Sequence, residues 1–576
     1  MWLFAVALLY GSGVGADIVN PSFEEAGVGW TGLVREAAEN FAAPHGSAFA
    51  SLAGGATISQ NVGVVEAGVT YRVTAYARSV NERGTSATSL GRVALGPAVA
   101  TAALDPVAPH GDARDYGNDD GGNVWFDGAY RLQAAEVIMY QDADEDPAVD
   151  DWRASVELPE IANYAPGPIV TPKGLRALYG MGGSCAAPGT AACDACIEAC
   201  DDCEAEGSCA DEADDLPPGC ACKSAIIPVW LTGEPPFYGF QQQAPVLEHS
   251  SMLAENKFTN FFPSPIDAHL FHDGDTGRLW MAWGGWTIFV TELDAETGRM
   301  LGDPADVEVD RCIDATPSCA TPILSFADSA KTGGAGPVPD GWAGDALSAA
   351  SYVEGPALFK HGGFWYALAS YGDLAKDYTI RVCRNAANAP NEGAFTDKEG
   401  LPCLIYDAAR GRYGCSMLLG SEGVQAVPGH PHVWREADGR FFLGYDFRDS
   451  RDGVQGEMDY FGIRALHWVD GWPTIWTPMT ATFLAAADDP LVGQPLQVAL
   501  SSVGNGTVAF DHVVLSKESA DELKEGDGGG FQKSKNKKKQ KNKQKGKKGK
   551  KSKKSKKKGQ KKKKKNKAKK AKGKKD

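Results

Sequence analysis

Residues 264–294 read SPIDAHLFHDGDTGRLWMAWGGWTIFVTELD, and this stretch decides the fold. Asp267 stands ahead of a short apolar run, and Asp273-Gly274-Asp275-Thr276-Gly277 is turn chemistry. Leu279 to Trp283 is rich in aromatic and apolar residues, Gly284-Gly285-Trp286 is a corner, and Thr287 to Leu293 is a third β-prone run. Aspartate and glycine supply the unusual backbone angles of tight turns, while β-branched and aromatic side chains suit a pleated surface. The pattern predicts an antiparallel meander with short turns, the unit from which β-propeller blades are built.

The same grammar returns twice. VEGPALF (353–359) leads through His361-Gly362-Gly363 into FWYALASYG (364–372) and DYTIRVCRN (377–385). GHPHVW (429–434) leads through EADG (436–439) into RFFLGYDFRD (440–449) and YFGIRALHWVDGWP (460–473). In a propeller the starts of the innermost strands meet at one end of a central channel, so Asp267, Glu354 and His430 are expected to converge. Two carboxyl groups brought together in an aromatic-lined channel suit glycoside hydrolysis.

The motifs Ile266-Asp267-Ala268, Glu354-Gly355-Pro356 and Gly429-His430 resemble glycoside hydrolase family 43, and most of all its endo-arabinanases. The resemblance runs from Ser264 to Pro473 and implies a five-bladed propeller and an inverting glycosidase acting on arabinan or a related pentose polysaccharide. It implies Glu354 as general acid and Asp267 as the carboxylate that orients it. His430 is implied to sit beside the site holding an ion or water, which makes a structural calcium near His430 an expectation while the chemistry itself needs no cofactor. Trp286 and Tyr371 are the expected substrate-binding aromatics. The general base is expected on the first blade, where the best local match reads Gly167-Pro168-Ile169-Val170. Glycine cannot accept a proton, so a non-catalytic polysaccharide-binding propeller is the alternative reading.

The whole chain is expected to be all-β, a propeller plus a β-sandwich. Residues 1–16, MWLFAVALLYGSGVGA, read as a signal peptide and imply a secreted, extracellular protein. Residues 17–105 resemble a jelly-roll carbohydrate-binding module, and 479–516 look like its closing strands, so the propeller (161–475) is expected to be inserted into a split jelly roll, with two separate β modules as the alternative. Residues 106–160 are acidic and are expected to form a connector, a solvated loop rather than a calcium site.

Thirteen cysteines fit an oxidising compartment. Eight lie between Cys185 and Cys222, and their even number predicts a disulfide-stapled insert rather than zinc. Cys312 and Cys319 are close enough to clip one loop, whereas Cys383, Cys403 and Cys415 leave one sulfur over. The formal charge of −16 hides two halves: residues 531–576 hold 28 lysines and one aspartate, net +27, leaving −43 on the rest. Within the tail, 517–576, the lysine-rich part cannot bury a core and is expected to be disordered. Behind a signal peptide it is expected to bind an anionic polysaccharide or cell surface rather than nucleic acid, with a polysaccharide substrate as the other partner. No run outside the leader is apolar and long enough for a membrane helix.

Overall fold

The computed structural model describes residues 35–36, 48–52, 56–80, 89–104, 123–127, 130–134, 138–142, 153–157, 164–184, 223–234, 237–249, 265–285, 287–301, 320–325, 352–372, 378–404, 406–407, 412–413, 415–421, 425–449, 460–503 and 507–519. Residues 1–16, the cysteine-rich stretch 185–222, Trp286 and the lysine-rich tail lie outside them. Every regular element described is a strand, and none is a helix that could cross a membrane.

The strands in chain order begin with β1 (Arg35–Glu36), β2 (Ala48–Leu52), β3 (Thr57–Val64), β4 (Val69–Val80), β5 (Ser89–Leu95) and β6 (Ala98–Leu104). Next come β7 (Asn123–Asp127), β8 (Tyr130–Ala134), β9 (Ile138–Asp142), β10 (Arg153–Glu157), β11 (Tyr164–Val170), β12 (Arg176–Ser184), β13 (Lys223–Glu234), β14 (Phe237–Gln242) and β15 (Leu247–His249). The three repeats supply β16 (His269–Asp273), β17 (Arg278–Trp283), β18 (Thr287–Leu293) and β19 (Thr321–Ser325); then β20 (Tyr352–His361), β21 (Phe364–Gly372), β22 (Thr379–Asn385), the short pair β23 (Tyr406–Asp407) and β24 (Arg412–Tyr413), and β25 (Ser416–Leu419). The chain closes with β26 (Gln425–Arg435), β27 (Phe441–Asp449), β28 (Tyr460–Val469), β29 (Trp472–Thr474), β30 (Thr477–Ala485), β31 (Pro495–Val503) and β32 (Thr507–Ser519).

The two ends of the chain share sheets. One sheet runs β1-β2-β32-β4-β30 and the other β3-β31-β5-β6, so strands from 477–519 lie between or beside strands from 35–104. β30 alternates exposed and buried residues, turning Met479, Ala481, Phe483 and Ala485 inward, where they join Tyr71, Val73, Val93, Val498 and Phe510 in one core. Each large apolar side chain buried this way is worth about 1.5–3 kcal/mol. This β-sandwich touches the remaining sheets through the Tyr76 hydroxyl, which donates to the Trp468 carbonyl at 3.2 Å.

Between the halves of the sandwich lie five antiparallel meanders: β7–β10, β11–β15, β16–β19, β20-β21-β22-β25 and β26–β29. The first strand of each lies against the first strand of the next, β7 by β11, β11 by β16, β16 by β20, β20 by β26, and β26 back by β7. That closed ring is a five-bladed propeller. The innermost strands are the edges of their sheets, protected because the blades pack against one another, and the blades bury Trp280, Trp283, Trp365 and Tyr366 between them.

Two expectations are corrected here. Residues 123–157, read as part of an acidic connector, carry β7–β10 and form the first blade. The acidic runs hide short β-prone segments such as NVWFD and IMYQD, which a composition-based reading passes over. The stretch after Ala225 contributes β13 and β14 to the sheet that β11, which carries Gly167, opens, whereas Gly167 was expected on the first blade. Gly167 therefore belongs to the second blade. A Cβ placed there would lie 1.7 Å from the Ala268 carbonyl oxygen, so the position accommodates only glycine because the next blade's backbone occupies the space.

Candidate active site

Asp267 immediately precedes the short helix-free run into β16, with φ of 53°, and Glu354 sits near the start of β20. After Glu354 the ladder slips at Gly355-Pro356, a bulge in which Gly355 adopts φ of 54° and Pro356 has no N–H to give. The β26 ladder slips twice, on either side of Gly429, with Val427 at φ 48° and His430 at 45°. Of the five non-glycine residues with positive φ among those described, Asp267, Val427 and His430 lie at the heads of these innermost strands. Strain of this kind costs roughly 1–3 kcal/mol per residue and gathers where side chains must be aimed at one point.

The three motifs meet through hydrogen bonds between blades. The Gly355 N–H donates to Asp267 Oδ2 at 2.8 Å, so Asp267 fixes the backbone next to Glu354. The Tyr378 hydroxyl donates to Glu354 Oε1 at 2.6 Å. The His430 N–H donates to Ser370 Oγ at 2.8 Å, and Ser370 also hydrogen-bonds Tyr378. The packing is close enough to require glycine twice. A Cβ on Gly429 would lie 2.1 Å from the Tyr378 ring, and one on Gly355 would lie 3.0 Å from His430 Cα.

Electrostatics follow from this burial. The Tyr378 hydroxyl is held well above its ordinary range, first by burial and then by the negative charge and hydrogen bond of Glu354. It stays protonated and can only donate to the carboxylate. His269 is buried, accepts the Leu358 N–H on Nδ1 at 3.2 Å, and is pushed well below the usual histidine range by burial and then by His432 and His430. Its ring centroid is 5.0 Å from that of His432.

The structure brings Asp267, Glu354 and His430 to one place. Tyr371 is corrected: it is 4% exposed and packs in the core between two blades with Trp280, Trp365 and Phe395, its hydroxyl 3.2 Å from Cys415 Sγ. It alternates with residues facing the other side of β21, and that period puts Ser370, not Tyr371, against the site. Trp286 lies outside the described residues. Tyr378 and Ser370 were not singled out from the sequence. The signal available was positional, since Tyr378 directly precedes β22 as Asp267 precedes its own strand.

Calcium takes six to eight oxygen ligands. Beside His430 the described residues offer the imidazoles of His269 and His432, and among those residues the set whose donor atoms cluster closely enough for a metal consists of Cys383, Cys403 and Cys415 elsewhere. The donors near His430 do not fit a calcium ion held directly by the protein, and no step below runs through one.

The sequence model of Glycosyl hydrolases family 43 matches residues 254–473. A probable arabinan endo-1,5-alpha-L-arabinosidase C of Aspergillus terreus is 31% identical over 134 residues, covering 21% of this chain and 38% of that protein. Arabinan endo-1,5-alpha-L-arabinosidase C of Emericella nidulans is 28% identical over 133 residues, covering 21% and 39%. The chain thus spans about two fifths of the length of these relatives. Among solved structures, the alpha-L-arabinanase of Cellvibrio cellulosa complexed with arabinohexaose aligns with 62% of this chain and 96% of its own, at 18% identity and a TM-score of 0.40. The stretch that matches the model of Glycosyl hydrolases family 43, residues 254–473, is the one that holds Asp267, Glu354 and His430.

Proposed function

We propose that the protein is a secreted glycoside hydrolase that cleaves arabinan or a related pentose polysaccharide with inversion. Supporting this is the coupling of Asp267 and Glu354 from neighbouring innermost strands, with the Gly355 N–H as their link at 2.8 Å. Glu354 is the general acid that protonates the leaving oxygen. Asp267 orients it, and Tyr378 fixes one oxygen so that the other faces the sugar. A water attacks the opposite face of the ring, which requires the base carboxylate roughly 6.5–9.5 Å from the acid.

The base belongs on the first blade. The binding-only alternative drew its support from Gly167 in the base position, and Gly167 is a second-blade residue.

The lysine-rich tail would add salt-dependent attachment to anionic polysaccharide, and the β-sandwich would add carbohydrate binding. The test of the activity is proton NMR of arabinan digestion, which follows the anomeric configuration of the first product. Inverted product supports the reading; retained product refutes inversion, and no product refutes the hydrolase.

A further inference from the structure

Within the aromatic run FWYALASYG of β21, Ser370 is fully buried and pairs directly with Glu354 across the ladder. Residues directly opposite each other in an antiparallel pair point to the same face, so the Ser370 hydroxyl and the Glu354 carboxyl leave the sheet side by side. A buried hydroxyl is costly unless it is hydrogen-bonded. Ser370 Oγ accepts the His430 N–H at 2.8 Å and also hydrogen-bonds Tyr378. Tyr378 gives its own proton to Glu354 Oε1 at 2.6 Å, so the Ser370 proton goes to the Tyr378 oxygen.

The result is a directed chain from the His430 N–H through Ser370 and Tyr378 to Glu354. A hydroxyl that accepts a hydrogen bond donates more strongly, so each link polarises the next toward the carboxylate. Space around the serine is closed from two strands. A Cβ on Gly355 of β20 or on Gly429 of β26 would each lie 3.2 Å from Ser370 Oγ, which leaves room for a hydroxyl on a side chain of serine's size.

We propose that Ser370 is a positioning residue for the acid: its hydroxyl ties the backbone at His430 to Tyr378 and, through Tyr378, sets how firmly one oxygen of Glu354 is held. This rests on the reading of Glu354 as the general acid. Glu354 is then fixed from both neighbouring blades, by Asp267 through the Gly355 N–H and by the head of β26 through Ser370. A shift of β26 reaches the acid through Ser370 without touching it.

The test compares the full-length wild type, Ser370→Ala, Tyr378→Phe and the double variant, reading kcat/KM on arabinan against pH together with the melting temperature. Glu354 and Asp267, the carboxylates that act on Tyr378, stay in place throughout. Ser370→Ala should lower kcat/KM roughly fivefold, the worth of one ordinary hydrogen bond. It weakens a donor to the ionised carboxylate, so the alkaline limb should move to higher pH, by less than in Tyr378→Phe. In the Tyr378→Phe background the same substitution should leave the limb where it is. Ser370→Cys, a weaker donor in similar space, should give a smaller shift in the same direction. An alkaline limb unmoved in Ser370→Ala, with the melting temperature lowered, would overturn the proposal in favour of a packing role. So would a shift of equal size in both backgrounds. Wild-type protein that turns over no arabinan at any pH would overturn the acid assignment itself, whereas turnover with an unmoved limb removes the role of Ser370 alone.

Discussion

The Tyr378 hydroxyl donates to Glu354 Oε1 at 2.6 Å, across the gap between β20 and the start of β22. A hydrogen bond to a charged group of this kind is worth about 1.5–3 kcal/mol. It also settles which carboxylate oxygen is spoken for, since buried Tyr378 keeps its proton. If Glu354 is the acid proposed above, this bond leaves its other oxygen to face the sugar.

Tyr378→Phe removes that donor and keeps the ring that packs against Gly429. Turnover of arabinan should drop by roughly tenfold, the effect of about 1.4 kcal/mol. A donor that favours the charged carboxylate is lost, so the alkaline limb of the rate–pH profile should move to higher pH. A purely structural role would lower the melting temperature and leave the limb in place.

Gly167→Ala should destabilise the fold by on the order of 3 kcal/mol or more, because its Cβ overlaps a backbone carbonyl that cannot swing aside. Denaturant midpoints measure this. An alanine variant as stable as wild type would contradict the packing of β11 against Ala268.

Asp273 on β16 receives the Lys360 ammonium from β20 at 3.2 Å, as well as the Thr276 hydroxyl and the Asp275 N–H. Burial pushes its carboxyl up, but these donors outweigh it and hold it below the ordinary value. The folded state therefore prefers the ionised form, so this contribution is fully present above about pH 3.8 and is lost as pH falls through the lower folded value. Asp273→Asn should cost roughly 1–3 kcal/mol at pH 7 and flatten the acid side of the stability curve. An unchanged acid slope would show that the bond between blades contributes nothing.

Removal of divalent cations is expected to leave turnover unchanged, because among the described residues no three ligating side chains cluster beside His430. Assays before and after chelation check this. A loss of activity restored by calcium would place an ion in the chemistry.

The three repeats were legible because each carries its turn residues and its motif within one short stretch, and the strands from Asp267 to Pro473 fall where periodicity puts them. The first blade was not legible, because β7 to β10 are five-residue strands set among aspartates whose charge dominates the composition. Missing it shifted the count by one blade and placed Gly167 where the base belongs. Tyr371 was misread as a site residue because one step along a strand reverses the face. Ser370, its neighbour, carries the contact with His430. Long-range pairings such as Thr477 with Ala77 are announced by no local pattern; the closing strands at 479–516 hinted at them only through their resemblance to a missing end.

The central claim is that Glu354 supplies the proton to the leaving oxygen. Glu354→Gln keeps the shape and the contact with Tyr378 while removing the proton, and its kinetics on two substrates test the claim directly. Hydrolysis of arabinan should fall by about 10² to 10⁴. Hydrolysis of a nitrophenyl arabinoside, whose leaving group needs little protonation, should fall far less. Equal losses on both substrates, or wild-type rates on arabinan, would contradict it.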